Sequence, residues 1–518
     1  MEITIDTLTA TVTGVVEAMP TTPYRDILLN KTISFSFDSI AMGLLGLAVI
    51  IGLAWLFSTD RKGVDWKQAG RGLFLQLMIA IAVLQVVPAD WLKPALLIVG
   101  TIIVVVIGLG IARRKTALNL KRITHLLSVG ALMLLGVLAF FYAGEIVEFL
   151  GKCFIAVLAW TKIGSEFLFG GLMDANHFGF IFAFQILPTI IFFAALTNLF
   201  FYLGVIQKVV WLLAWLLTKA MRLSGAEGLV AAGNIFLGQI EASLLAKMYL
   251  PSMTRSEIML VMTAGLATIA GGVLAAYIGM LGAGDELMKL AFAKHLLSAS
   301  VMAAPGAVVI AKIIVPQRED INNKIEVAKK EAGKNILDAI ANGATEGLRL
   351  AANVAAMLLV FYALIAGFNF IIDKIGIWTN LNEVIANATN GQYQGLSLEF
   401  ILGYLFAPVI WLMGVPWSDV TLVGQLLGQK LIMTEFIGYQ NLSTMIQTGV
   451  FYDPRSIIMA VYVLCGFANF VSVGMQIGGI GSLAPKQKVL MSQLGMRALL
   501  GGTLVAMISA TMVGMFLS

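Results

Sequence analysis

AAGNIFLGQIEASLL, residues 231–245, is too apolar for a soluble loop and too interrupted for a membrane-spanning helix. Gly and polar residues break it, and a single carboxylate, Glu241, lies inside it. A second stretch of the same kind, LLGQKLIMTEFIGY at 426–439, carries Glu435 in the corresponding place of the chain's other half. An ionisable side chain at bilayer depth costs about 2.5 kcal/mol or more, so it faces a partner, a water-filled cavity or a ligand. Two broken, acid-bearing segments in matching places point to a transporter's substrate site. The alternative is that Lys247 and Lys430 pair with the two acids for packing.

Composition agrees with a membrane setting. Of 518 residues, 59% are hydrophobic and 12% charged, where soluble domains carry about 25% charged residues. The chain reads as an all-α polytopic membrane protein. Cys153 and Cys465 lie in apolar runs without metal-ligand spacing, and His125, His177 and His295 are far apart with no HExxH, so neither a disulfide framework nor a metalloprotease site is implied. No Ser/His or Cys/His constellation recurs at plausible depth, which argues against an intramembrane enzyme. The net charge of +5 reads as loop bias beside apolar spans, with no nucleic-acid partner. MEITIDTLTA lacks the basic start and apolar core of a cleavable signal.

About 20 apolar residues cross a bilayer. That length predicts spans near 39–57, 71–88, 95–112, 125–143, 178–203, 257–281, 295–315, 350–374, 455–480 and 493–517, about ten. Basic residues follow the first span (Arg61, Lys62, Lys67, Arg71) and the third (Arg113, Arg114, Lys115, Lys121, Arg122), and recur in 318–334 and at Lys486 and Lys488. Every second loop is then basic and cytoplasmic, and both termini are outside. To keep this alternation, 226–250 must dip in and out on the cytoplasmic face and 399–445 on the outer face. Each of these re-entrant hairpins precedes a span broken by small or polar residues, TAGLATIAGGVLAAY (263–277) and CGFANFVSVGMQIGGIG (465–481). Such inverted repeats bring backbone polar groups to the midplane; the alternative for GMQIGGIG is close helix packing. Residues 145–165 and 206–222 mix Trp with terminal Lys, as interfacial helices do. The polar run 318–346 reads as a long cytoplasmic helix joining the halves.

GNIFLGQIEASLL (233–245), MTRSEIMLVMTAGLATIAGGVLAAYIG (253–279), HLLSASVMAAPGAVVIAK (295–312), NGATEGLRLAANVAAML (342–358), LGYLFAPVIWLMGVPW (402–417), KLIMTEFIGY (430–439) and YVLCGFANFVSVGMQIGGIGSLAP (462–485) together closely resemble the concentrative nucleoside transporter family. The likeness runs from about residue 39 to the C-terminus, apart from an interval near 89–143. It implies a homotrimer in the plasma membrane (the inner membrane of a bacterium), with scaffold and transport domains. It also implies nucleosides as the imported substrate, sodium as the coupling ion, no organic cofactor, and elevator-like alternation of access. On this pattern 1–38 is an outside tail, 39–88 the first spans, 89–143 an added helical hairpin, and 144–518 the transporter core. Two added spans preserve the direction of everything downstream.

The resemblance also implies the site. Gln239 and Glu241 on the first hairpin, Glu435 on the second, and Asn469 and Ser472 from the broken span would contact base and ribose, with Phe467 and Val273 as apolar walls; ordinary core packing is the alternative for those two. A neutral, hydroxyl-rich ligand calls for such a mixture of few polar groups and apolar walls. Asn234 and Thr268 side chains with the Leu237 and Ile269 carbonyls would hold sodium, a hard cation that takes oxygen ligands. Ile240 stands where family members commonly have Thr or Ser, Ser243 where Pro is usual, and Thr434 where Asn is common. Ile240 offers no hydrogen bond, so base preference is expected to differ there. Proton coupling stays open, because Glu241 or Glu435 could titrate in a low-dielectric site.

Overall fold

The computed structural model describes residues 24–30, 36–84, 120–178, 181–282, 284–327 and 332–517, with the backbone alone over 120–141. Within them every regular element is a helix. After a short helix at Arg25–Asn30 come two long helices, α1 (Phe37–Leu56) and α2 (Trp66–Val83), the second capped by Asp65, which accepts from the N–H groups of Lys67 (2.9 Å) and Gln68 (3.1 Å). Then comes α3 (Leu120–Phe169), one unbroken helix of 50 residues. At 1.5 Å per residue it is about 75 Å long, well beyond a hydrocarbon core of about 30 Å. The expected separation of a span at 125–143 from an interfacial helix at 145–165 is therefore not a break in the backbone. Gly144 is the lone helix-weakening residue between them, and one interior glycine costs only about 1 kcal/mol. The span expected at 95–112 lies outside the described residues.

The rest of the chain runs through one helical order twice. The first pass is α4 (Leu187–Tyr202), α5 (Val205–Met221), α6 (Gly225–Gly233), α7 (Gln239–Leu245), α8 (Arg255–Ala267), α9 (Gly271–Gly282) and α10 (Glu286–Ile314). The second is α11 (Ile336–Trp378), α12 (Leu398–Leu412), α13 (Val420–Ile432), α14 (Glu435–Thr448), α15 (Pro454–Leu464), α16 (Phe470–Leu483) and α17 (Lys488–Gly514). Their packing repeats as well. α5 lies on α6 as α12 lies on α13, and α10 covers α8 and α9 as α17 covers α15 and α16. The second arm of each hairpin meets the second half of the other repeat's broken helix, α7 with α16 and α14 with α9. The hairpins are thus α6–α7, turning at 234–238, and α13–α14, turning at Met433–Thr434. The second hairpin starts later than the expected 399–445, because α12 is a separate helix ended by Gly414, which adopts φ +96°.

Burial separates two kinds of helix. Among the described residues six helical stretches are long and apolar enough to span a membrane; in the most apolar windows of Glu286–Ile314 and of Ile336–Trp378 the buried share is 94% and 6%. So α10 belongs to the centre, whereas α11, packed on α4, turns most of its apolar surface outward. Soluble monomers rarely expose such a surface; lipid or another copy covers it.

The connector between the repeats differs from expectation. Residues 318–327 are not helical, and the helix begins at Ile336, where Asn335 caps it by accepting from Asp338 N–H at 2.9 Å. The segment is held as a strap by long-range partners: Asn322 O accepts from Gly225 N–H (2.9 Å), Lys324 O from the Tyr249 hydroxyl (3.2 Å), and Arg318 donates to Asp60 (2.9 Å). Beneath it Lys312 pairs with Glu227 and donates to Ser256 (3.0 Å) and Gln317 (3.2 Å). Backbone groups spent on these partners are unavailable to a helical ladder.

Candidate functional site

Each broken helix is interrupted for a few residues, 268–270 in the first repeat and 465–469 in the second, and the two breaks touch. Gly466, at φ +94°, stands so close to the end of α8 that a Cβ there would lie 2.6 Å from the Ala267 carbonyl oxygen. Gly502 of α17 lets both breaks approach, facing Leu266 at 2.8 Å and Ala468 at 3.3 Å by the same construction. The tip of the first hairpin is tied to this centre: Phe236 O accepts from Gly271 N–H (2.9 Å) and Ile235 O from the Ser300 hydroxyl (2.8 Å).

That tie sets the tip, with Asn234 and Leu237, beside the first break, with Thr268 and Ile269. Asn234 is fully buried, and neither polar atom of its amide has a hydrogen-bond partner among the described residues. Thr268 donates its hydroxyl to Ala264 O at 2.8 Å, which leaves its oxygen lone pairs facing elsewhere. No hydrogen bond among the described residues ends on the carbonyls of Leu237 or Ile269. Orphaned buried polar atoms cost about 1–3 kcal/mol each, and a hard cation would take the orphaned Asn234 amide oxygen, the Thr268 hydroxyl oxygen and the free carbonyls as oxygen ligands, leaving the amide nitrogen to another partner. The residues fit sodium.

Glu435 begins α14 and is 4% exposed. One carboxylate oxygen accepts from the Tyr277 hydroxyl (3.1 Å) and the other from the Asn469 amide (2.8 Å). Asn469 in turn caps α16 by accepting from Ser472 N–H at 2.8 Å, which holds its amide toward the acid. Three elements, the second hairpin, α9 and the second break, therefore meet on one carboxylate. Tyr277 is itself clamped by Tyr439, stacked at 4.1 Å between ring centroids, and by the edge of Phe436 at 4.9 Å. Val273 is buried on α9, Ser472 is buried at the start of α16, and Phe467 is half-buried in the break.

The first hairpin is arranged differently. Glu241 is half-buried and bends back to cap α7, accepting from Gly238 N–H at 2.7 Å. Gln239 is buried, with its side-chain oxygen lacking a partner among the described residues. It packs with Gln476 on Gly265, whose added Cβ would lie 2.8 Å from Gln239 Cβ and 2.6 Å from Gln476 Nε2. Gln476 donates to Met262 O (3.0 Å) and leaves its own oxygen without a described partner. Ile240 lies against Gly479 of α16, whose missing side chain makes room for it.

Pairing of the acids with lysines is not what the fold does: no described ion pair joins Glu241 to Lys247, and Lys430 donates to backbone carbonyls instead of Glu435. Glu435, Asn469 and Ser472 form one connected group, but no described hydrogen bond joins Asn234 to Thr268 or Glu241 to Glu435. Tyr277 and Gln476 escaped the sequence reading, although each is a polar residue inside an apolar run, the signal that found the acids. A polar cavity of about 170 Å³ lies away from this centre, beneath the strap, lined by Arg222, Glu227, Lys312 and Gln317.

Comparison with known proteins agrees with this architecture. Family models match at 295–514 ("Na+ dependent nucleoside transporter C-terminus"), 183–284 ("Nucleoside recognition") and 45–92 ("Na+ dependent nucleoside transporter N-terminus"). The chain is 36% identical to an uncharacterized transporter of Haemophilus influenzae, over 81% of this chain and 97% of that one, and 32% identical to the putative nucleoside permease NupX of Escherichia coli, over 92% and 99%. Against human sodium/nucleoside cotransporter 1 it is 36% identical over 71% of this chain, and it spans about half (55%) of that longer protein. Among solved structures, CNTnw in an inward-facing substrate-bound state superposes with TM-score 0.73 at 32% identity, covering 92% of this chain and 98% of that one. A CNTnw variant in an outward-facing state gives 0.75 at 32% identity, covering 93% and 99%. These relatives are transporters, not enzymes, and the chain belongs to the sodium-dependent, concentrative nucleoside transporter family.

Proposed function

We propose that this chain imports nucleosides, driven by inward movement of sodium, through a transport unit that moves against a scaffold formed by α4 and α11. The observation that carries this is Glu435, a carboxylate buried at the crossing of a hairpin and two broken helices, positioned by Tyr277 and Asn469. Gln239, Glu241, Glu435, Asn469 and Ser472 supply donors and acceptors for sugar hydroxyls and base edges, with Val273 and Phe467 as walls. A carboxylate offers about four lone-pair sites, so Glu435 has acceptor capacity beyond its two partners. Asn234, Thr268, Leu237 and Ile269 hold the sodium. A bound ion there neutralises orphaned oxygens and fastens hairpin tip to break, which couples ion occupancy to the shape of the adjoining substrate site. The loops bearing Arg61, Arg71, Lys486 and Lys488 face the cytoplasm, both termini face outside, 89–143 forms the added hairpin ahead of a core at 144–518, and the outward surface of α11 meets two further copies in a homotrimer.

One ion suffices energetically. A potential of about 100 mV contributes roughly 2.3 kcal/mol per charge and a tenfold sodium gradient about 1.4 kcal/mol. Their sum supports accumulation of a neutral solute by about 500-fold.

Uptake by proteoliposomes at fixed pH, with and without a sodium gradient, tests the reading. Sodium-dependent nucleoside accumulation is expected. A second reading, proton coupling, is favoured by the burial of Glu435 with no hydrogen bond or ion pair to a cation among the described residues; uptake indifferent to sodium and abolished by collapsing the proton gradient selects it.

A further inference from the structure

Lys430 is fully buried in the first arm of hairpin 2. No ion pair among the described residues includes it. Its Nζ donates to Val463 O (3.0 Å) and Cys465 O (2.7 Å), carbonyls at the C-terminal end of α15, where helix geometry leaves acceptors unfilled and the dipole is negative. A buried ammonium needs such partners.

The first repeat has the same place without the lysine. No Lys or Arg occurs between residues 225 and 246; α8 ends at Thr268, and the hairpin tip that carries the unpartnered Asn234 amide meets this break through the Phe236–Gly271 hydrogen bond. We propose that the Lys430 ammonium is the second repeat's covalently held counterpart of the sodium ion in the first. Both are cations set between the first arm of a hairpin and the C-terminal end of the first half of a broken helix. The inference rests on the sodium reading above. Its consequence is a division of labour. Hairpin 2 is fastened to the C-terminal end of α15 permanently, which keeps Glu435 and Asn469 in register, while hairpin 1, held at its tip by the Phe236–Gly271 and Ile235–Ser300 hydrogen bonds, gains the matching tie to the end of α8 only when an ion is bound. Lys430 is a positioning residue, and the chain takes one sodium per nucleoside.

The test is thermal unfolding of the purified full-length protein against sodium concentration at constant ionic strength, because the rise of Tm with log sodium reports the number of ions held by the folded state. The wild type is expected to show a slope of one ion. Lys430→Ala should lower Tm in choline, approximately double the sodium slope, and regain Tm with methylammonium, which leaves the wild type unmoved. If Lys430→Ala can be purified only with methylammonium present, that is the same rescue. A folded Lys430→Ala with the wild-type slope and no response to methylammonium overturns the proposal. So does Lys430→Met matching the wild type in both Tm and sodium slope, since an apolar plug would then serve as well as a charge. Asn234→Ala, measured alongside, reports the first-repeat site separately: its slope should vanish, and a retained slope removes the sodium reading and the parallel with it, whatever Lys430→Ala does.

Discussion

Gly466 lies against the peptide carbonyl of Ala267, closely enough that the two broken helices share a crossing with no side chain between them. Its φ of +94° is also a conformation that side-chain-bearing residues avoid, at about 1–3 kcal/mol for the backbone alone. Gly466→Ala should therefore lower Tm and abolish uptake together. A variant with wild-type Tm and transport would show that the breaks can separate freely.

Glu435→Gln preserves volume but replaces one acceptor oxygen with a donor, so the Tyr277 hydroxyl and the Asn469 amide can no longer both donate to it. Nucleoside affinity should fall at least tenfold, about 1.4 kcal/mol, with the protein still folded. Tyr277→Phe removes the other partner and leaves a buried carboxylate oxygen short by one hydrogen bond, worth about 1–3 kcal/mol. Calorimetric titration with nucleoside, alongside a melting curve, separates lost binding from lost folding; undiminished affinity in both variants would reduce Glu435 to a packing residue.

Ile240 and Gly479 are predicted to be coupled. Gly479→Ala drives a methyl group into Ile240 and should impair transport. Ile240→Val, which lacks the terminal methyl, should restore part of the loss, giving an interaction energy of about 0.5–3 kcal/mol for neighbours in contact. Ile240→Thr should also change the order in which nucleosides compete for uptake. Purely additive effects and an unaltered competition order would remove position 240 from recognition.

Asp285 caps α10. Its burial pushes its pKa up, but the hydrogen bond from Arg25 and those from the Met288 and Leu287 N–H groups outweigh this and leave it below the ordinary carboxylate range. A carboxylate whose pKa is depressed on folding contributes stability that is present above its unfolded pKa and lost as pH falls through its folded pKa. Asp285→Asn should therefore lower Tm at neutral pH and flatten the fall in Tm below about pH 4, the unfolded value for Asp. Parallel acid limbs for variant and wild type would contradict this.

The membrane class, both hairpins, both broken helices and the two acids were legible in the chain because each is a local event. Apolar length, interrupting glycines and a stray carboxylate are settled within some 20 residues, the scale on which a bilayer imposes its cost. Partnership is not local. Tyr277 reaches Glu435 across 158 positions and Gln476 reaches Met262 across 214; Lys430, which adjacency in sequence offered to Glu435, is claimed by carbonyls more than 30 residues away. The same holds for 318–327, whose polar, helix-prone composition yields to distant partners on hairpin 1, and for Ile240, whose neighbour is a glycine on the opposite repeat. Hydropathy can say that a polar group must find company inside the membrane; which company it finds depends on how the two repeats pack, and only the tertiary structure decides that.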